Sequence, residues 1–506
     1  MKFKSPYTKL FLSTGSLKQL AIIFFTVILA ACGGGNESAS TLDKELREII
    51  KKRGLTGDPL KNRNIPDIQS PLAQLGKKIF FAKSLSGEND TACASCHHPL
   101  LGSGDGLTLP IGVHATSPDL LGTGRAHSSI AQGFDGGPTV PRNAQPIFNL
   151  AVYDSVLFWD GRIESIGKTP FAQGIDRLGV MTPDVPYGTN DVMAGEGLAE
   201  AQAGFPVTSP EEMRGFNFAV GQTTDQLHDR LAQRIGNYGP GFNELPYNDW
   251  LKEFQLGFNS TQTAEELITF QNIRKAIATY ERSQAFVETP WNAYIKGNNS
   301  IIDDSAKRGA KLFFTSIDDQ GAGCYACHTG DTFTDEKFHN ICTVQVGRGK
   351  GDGFTFDDDF GRFNITGNEK DKYAFRTPNL LNVEVTGPWG HSGAYNSLES
   401  IVRYHLNPEA ELSNFNFLQL DSGTQTSNAV TNTNAALLQR EAVDMQTGVI
   451  NTRTQLSNDQ INDLVSFLKT LTDPCVKDVS CLSPWIPSLT ETDPDGTRLN
   501  AEIRFY

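Results

Sequence analysis

The chain has 506 residues, 38% of them hydrophobic and 20% charged, a globular composition long enough for two or three domains. The formal net charge is -14. So acidic a surface argues against nucleic acid as a partner and leaves room for a small basic one, such as a soluble electron carrier.

At the N-terminus Lys2, Lys4, Lys9 and Lys18 precede an apolar run from Leu20 to Ala31. A basic flank before a short apolar run reads as an export signal, and the run is too short for a transmembrane helix. It ends Leu29-Ala30-Ala31-Cys32-Gly33, which resembles a bacterial lipobox. That resemblance implies a signal peptide over 1–32 and lipidation of Cys32; the alternative is an ordinary secretory signal with a chance cysteine. Gly33-Gly34-Gly35-Asn36 opens a flexible tether, and the polar, helix-prone residues up to 64 read as a leader. Acyl chains would hold the protein to a membrane surface without spanning it, in the periplasm or at the cell surface, with the outer membrane as the expected site.

Further along, Leu72–Phe81 carries apolar residues at helical spacing and leads into Asp90-Thr-Ala-Cys-Ala-Ser-Cys-His97. The same order recurs: a helix over Ser305–Phe314 leads into Gly323-Cys-Tyr-Ala-Cys-His328. Both copies contain Gly-x-Lys-(Ile/Leu)-Phe-Phe, so a supersecondary unit is repeated and two related domains are expected. Residues 263–286 read as a helix closing the first half, and Leu456–Thr472 as one closing the second. Alternating extended runs are scarce, so the fold is expected to be mainly α. Residues 163–200 and 406–455, the latter with an Asn/Thr-rich stretch over Ser427–Ala436, read as long surface loops.

Four of the eight cysteines lie in Cys93-Ala-Ser-Cys96-His97 and Cys324-Tyr-Ala-Cys327-His328. Two thiols one turn apart can add to the two vinyl groups of one haem, and the adjacent imidazole then ligates its iron. Zinc would require a further Cys or His pair, and a redox dithiol has no use for the histidine. Export, repetition and a histidine in both copies favour two covalently bound haem c groups. Cys475 and Cys481 suit a small disulfide loop in an exported chain. Cys342 is left as a buried thiol or as the partner of one of them.

With these motifs in place the chain resembles the bacterial di-haem cytochrome c peroxidase/MauG family over roughly residues 65–475. The resemblance is carried by Leu85-Ser-Gly87, Asp105-Gly-Leu107, Pro141-Arg-Asn143, Phe158-Trp-Asp-Gly-Arg162, Glu212-Met213, Asp359-Phe-Gly-Arg362, Phe375-Arg-Thr-Pro378 and Pro388-Trp-Gly-His-Ser-Gly393. It implies two cytochrome c-like domains with long loops and the haems near a shared interface. The expected bounds are 65–295 for a peroxidatic domain, 296–475 for an electron-transfer domain and 476–506 for a tail. It implies Glu212 as acid/base and Gln202, ten positions earlier, as the residue that orients peroxide or water. Trp159 takes the place of the family tryptophan between the haems. Asn143, Thr386 and Pro388 match positions that hold a calcium ion in the family. The bland alternatives are a helix N-terminal carboxylate for Glu212 after Ser209-Pro210, core packing for Trp159 and a surface position for His405.

Two departures from the family pattern stand out. The second haem usually has a distal methionine or tyrosine; the matching position here is His405, one after Tyr404, and a second histidine would give a lower potential than methionine. Where some members hold a gating histidine at the first haem, this chain has Val113, with His114 one residue beyond. An open or water-bound first iron is therefore expected. The activity implied is reduction of hydrogen peroxide at the first haem, with electrons from the second and from a small periplasmic cytochrome or copper protein. The alternatives are a MauG-like oxidase of a protein substrate and a pure electron-transfer protein. A homodimer is compatible with the family, and the sequence does not fix the oligomeric state. His98, His127, His228 and His339 carry no assigned role.

Overall fold

The protein is described by a computed structural model over residues 40–447 and 454–504. The apolar run Leu20–Ala31 and the lipobox Cys32 lie outside the described residues. Among the described residues no helix is long and apolar enough to cross a membrane.

The two sequence repeats build the same device twice. Pro71–Phe81 forms a helix capped by the Ser70 hydroxyl, with proline at its first turn. Asp304–Phe314 forms its counterpart, capped by Asp303, which accepts from Ala306 N at 2.7 Å. The first packs against Phe270–Arg282 and Trp250–Phe258, the second against Asn458–Lys469. The glycine shared by both repeats explains how closely they pack. A Cβ on Gly76 would lie 1.9 Å from the carbonyl oxygen of Ala276, and one on Gly309 would lie 1.8 Å from that of Asp463. Only glycine lets either helix cross its partner at this depth. The paired phenylalanines, Phe80–Phe81 and Phe313–Phe314, are at most 2% exposed. Burying each such side chain stabilises the fold by about 1.5–3 kcal/mol. One apolar core gathers Ile79, Phe80, Trp250, Phe254, Ile273 and Tyr280; another gathers Trp291, Phe313, Phe314, Leu464 and Phe467.

Several elements differ from the sequence expectation. The helix expected over 263–286 is two helices, Ala264–Leu267 and Phe270–Arg282. Thr269 breaks it by turning extended and accepting from Asn272 N, a capping bond that competes with continuing the helix. Phe286 lies past the second helix, buried against Phe148 and Trp485. The stretch 163–200 is not simply a loop: Val156–Leu157, Ile163–Ser165 and Val180–Met181 make an antiparallel three-stranded sheet, followed by a helix over Gly197–Gln202. The Asn/Thr-rich stretch read as loop belongs to a helix, Ala429–Thr447. Its polar side chains have specific partners: Asn428 and Asn432 donate to Asp357, and Thr433 accepts from Gln345 N. Composition suggested a loop; tertiary bonding made a helix.

Within the leader, Thr41–Arg53 is a helix whose Leu46 and Ile50 enter the second core. Asp43 on it meets Lys307 at 3.0 Å and the Tyr294 hydroxyl at 2.8 Å. At the other end, Cys475 and Cys481 form the expected disulfide, and Cys342 is a buried free thiol. Residues 485–504 then return to the first core. Tyr280 donates to the Trp485 carbonyl, Trp250 Nε1 donates to Asp495 at 2.7 Å, Lys77 meets Glu491 414 positions away, and Glu502–Arg504 pairs in parallel with Leu120–Gly122.

Candidate functional site

Each Cys-x-x-Cys-His opens onto its own cavity. Cys93, Cys96 and His97 line one of about 130 Å³, and Cys324, Cys327 and His328 line one of about 330 Å³. In both, the first cysteine starts a short 3-10 turn, Cys93–Ser95 and Cys324–Ala326, and both cysteines and the histidine border the same cavity. Burial lowers the pKa of His97 and of His328 to about 4, which leaves both imidazoles neutral. Nδ1 of His97 faces the Ser103 carbonyl at 3.4 Å, and Nδ1 of His328 faces that of Phe333 at 3.0 Å. A carbonyl can only accept, so Nδ1 carries the proton and Nε2 is the atom suited to ligation; the His97 ring also bonds the Gln145 backbone. Burial also pushes the Cys93 and Cys324 thiols up to about 12.

The smaller cavity also receives Gln202 and Glu212. Gln202 ends the helix Gly197–Gln202, and its buried Oε1 has no hydrogen-bond partner. Glu212 sits on the short helical turn Pro210–Arg214, capped by Ser209, whose hydroxyl accepts from the Glu212 N–H. That capping uses the backbone and leaves the carboxylate free for the cavity. Burial raises the carboxyl above its usual range, with Arg162, Lys350 and Arg142 opposing the shift. Among the residues that line this cavity, His97 is the one histidine. Val113 is buried outside the lining, and His114 is turned away: its Nδ1 faces the Gln132 carbonyl at 3.2 Å and its ring lies beside those of His127 and Phe216.

The larger cavity holds three histidines besides His328: His339, His391 and His405. His405, on the helix Leu398–Leu406, opens its ring to the cavity that His328 lines. Its Nδ1 lies 2.8 Å from the Ile401 carbonyl, and burial lowers its pKa, so a neutral Nε2 is again available. Tyr404 points the other way, with its hydroxyl donating to the Cys342 carbonyl at 2.5 Å inside a separate core. His391 lines the same cavity, stacked on Phe375 at 3.7 Å and bonded to Thr343. Cys327, Asp335 and His339 bring ligand atoms within 4.8 Å of one another. His339 is raised to about 10 by its hydrogen bond to Asp335 and then by Cys327, a thiol already committed to the Cys-x-x-Cys-His motif. His98 is buried with Nδ1 accepting from Leu100 N, and His228 bonds the Gly204 carbonyl, so both have structural partners.

Trp159 lines both cavities, as do Asn143, Gln145, Pro146, Tyr153 and Arg376. The Trp159 indole N–H donates to the Asn143 carbonyl at 3.0 Å. Around this wall the scattered motifs of the sequence meet. Arg142 pairs with Asp359 and with Asp160, Arg362 donates to the Asp160 and Gly161 carbonyls, and Arg376 N donates to the Trp159 carbonyl. Asn143, Thr386 and Pro388 share the wall of the larger cavity.

The family model for di-haem cytochrome c peroxidases matches residues 70–300. Over those residues the chain is similar to the di-haem cytochrome c peroxidase/MauG family. It is 27% identical over 381 residues to the methylamine utilization protein MauG of Methylorubrum extorquens, covering 75% of this chain and 80% of that protein. It is 26% identical over 382 residues to the cytochrome c551 peroxidase of Pseudomonas aeruginosa, covering 75% and 82%. A solved MauG-like protein associated with microbial copper homeostasis has the same fold, with TM-score 0.52 and 20% identity, covering 86% of this chain and 97% of that one. The likeness to these peroxidases and to MauG indicates an oxidoreductase and implies two haem c groups.

Sequence reasoning passed over Tyr153, Gln145, Glu281 and Lys350 as cavity residues. Glu281 was legible in principle: it follows Ile277 by one helical turn on the apolar face of Phe270–Arg282, and both line the smaller cavity. Burial raises its carboxyl to about 8. The others sit in irregular segments, where no periodicity marks which side faces inward.

Proposed function

We propose that the protein reduces hydrogen peroxide to water at the smaller cavity, with electrons relayed from the larger. The observation that carries this reading is an asymmetry. One cavity offers a single histidine together with Gln202 and Glu212; the other offers four, with His405 turned to the space that His328 lines, and no such acid/base pair. An iron site with one axial histidine has room for substrate, and a site with two is suited to electron transfer.

The residues fit two haem c groups. Cys93, Cys96 and His97 would hold one; Cys324, Cys327 and His328 would hold the other, with His405 as a further histidine that could ligate its iron. Arg162, Lys350 and Arg376 line the cavities and supply positive charge for the haem carboxylates. When bound, the haems supply the redox-active iron at which the O–O bond is broken. The chain supplies the proton handling. Gln202, with its unpartnered Oε1, accepts a hydrogen bond from peroxide and orients it. Glu212 takes the proton from the inner peroxide oxygen and returns it to the leaving oxygen, a task suited to a carboxylate made more basic by burial. Trp159, common to both linings, carries electrons between the sites.

Around this centre we place the finer features. The duplicated helix unit supports two cytochrome c-like domains, 65–295 and 296–475, with the haems near a shared interface. The Asn143 amide nitrogen donates to the Leu107 and Thr108 carbonyls, which leaves its Oδ1 for a calcium ion alongside the Thr386 and Pro388 carbonyls. Lipidated Cys32 would anchor the protein on the periplasmic or outer face of a membrane, where a small cytochrome or copper protein delivers electrons.

A second reading, a MauG-like oxidase of a protein substrate, is favoured by the position of His114, which lies outside the smaller cavity and does not gate it. One experiment separates the readings. Oxidised and half-reduced holoprotein is mixed with hydrogen peroxide and followed by optical and spin-resonance spectra, then supplied with a reduced small cytochrome. A high-spin component that reacts with peroxide, followed by turnover, supports the peroxidase. A reaction with peroxide but no turnover supports the oxidase. A wholly low-spin protein inert to peroxide refutes both.

A further inference from the structure

Two oxidisable side chains, Trp159 and Tyr153, stand in the wall shared by the two cavities, and their surroundings differ. Tyr153 is 4% exposed. Its hydroxyl accepts two hydrogen bonds from Asn379, from the backbone N–H at 2.9 Å and from Nδ2 at 2.8 Å. No acceptor for its own proton stands among the described residues. The Asn379 Oδ1 faces away, accepting from Leu381 N at 3.1 Å. Over the tyrosine ring lies the Arg376 guanidinium, 4.2 Å from the centroid. Trp159 is placed differently: its N–H donates to a carbonyl oxygen, a negative dipole end, at 3.0 Å.

We infer that Arg376 and Asn379 are positioning residues that keep Tyr153 reduced, so that an oxidising equivalent crossing between the haem sites is confined to Trp159. A tyrosine loses its electron readily only if its phenolic proton has a base to go to, because the protonated radical cation is a very strong acid. Asn379 presents two donors where that base would have to stand. The guanidinium repels any positive charge forming on the ring, in surroundings where such repulsion is strong. An indole oxidised to its radical cation keeps its N–H, and the Asn143 carbonyl stabilises the charge without taking the proton.

The inference rests on electrons crossing this wall, as in the proposed function, but it can be tested apart from peroxide. A photochemically generated ruthenium(III) complex removes one electron from the holoprotein, and the resulting radical is identified by spin resonance. Wild type should give a tryptophan-type signal and no tyrosyl signal. Asn379→Asp keeps the side-chain shape. One carboxylate oxygen still accepts from Leu381 N, and the other replaces Nδ2 opposite the Tyr153 hydroxyl. In that variant the oxidant gains one electron, the phenolic proton passes to the introduced carboxylate, and a neutral tyrosyl signal should appear. Adding Tyr153→Phe should abolish it. A tyrosyl signal in wild type that Tyr153→Phe removes would overturn the inference, as would its absence in Asn379→Asp, whatever other radical forms. A parallel arm uses hydrogen peroxide as oxidant. If that arm is silent while the ruthenium arm behaves as stated, the peroxidase reading fails and this one stands.

Discussion

Glu212→Gln is the substitution that probes the proposed chemistry most directly. Glutamine has nearly the same shape, and the Ser209 cap bonds the backbone N–H of residue 212, so the Pro210–Arg214 turn and both haem motifs are retained. What is lost is the ability to take a proton from peroxide. A positioned general base contributes about 10²–10⁴ in rate, which is roughly 3 to 5 kcal/mol of barrier. The second-order rate of peroxide with the half-reduced protein, followed by stopped-flow absorbance, should therefore fall by at least about a hundredfold. The pH profile supplies a second reading. Burial raises the Glu212 carboxyl above the ordinary carboxylate range. The protonated form cannot act as a base, so the wild-type rate should climb as pH rises through that elevated value and level off above it. The variant should lack that limb. An unchanged rate, or a variant that keeps the same acid limb, would remove Glu212 from the mechanism.

His405→Ala should convert the second haem from low-spin to a high-spin or water-ligated form, visible by spin resonance, while the signal of the first haem stays put; an unchanged spectrum would return His405 to a purely structural role. Gly309→Val places a side chain where the Asp463 carbonyl oxygen stands 1.8 Å from the new Cβ, so the two helices must separate. The cost should be about 3 kcal/mol, read as a lower Tm, and an unshifted melt would show the crossing to be looser than described. Asp43 is held down to about 2 although burial pushes it up, because Ser40, Lys307 and Tyr294 together outweigh that push. Its contribution to stability is therefore complete above pH about 4, the usual value for an unfolded chain, and fades as pH falls through about 2. Asp43→Asn should be less stable than wild type at neutral pH, with the gap closing in acid; a gap independent of pH would contradict the linkage.

The sequence disclosed what depends on covalent spacing and on helical periodicity. The two Cys-x-x-Cys-His motifs and the helices Pro71–Phe81 and Asp304–Phe314 each reflect a local rule; Gln202 and Glu212 were implied by the family resemblance, and the structure brings that pair into the cavity of His97. Long-range partners left no such trace. Ala429–Thr447 looked like a loop because its Asn and Thr residues disfavour a helix in isolation, and only Asp357 and Gln345, distant in the chain, explain why the helix forms. Thr269 erred in the other direction, breaking a periodicity that ran straight through it. Tyr153 was invisible for the same reason: its significance comes from Arg376 and Asn379, more than two hundred positions away.

The return of residues 485–504 to the first core bears on how the molecule is made. Trp250, Lys77 and the strand Leu120–Gly122 find their last partners only in this late segment. Until this segment is made the early half stays unsealed, with the tryptophan N–H and the lysine still lacking their carboxylates.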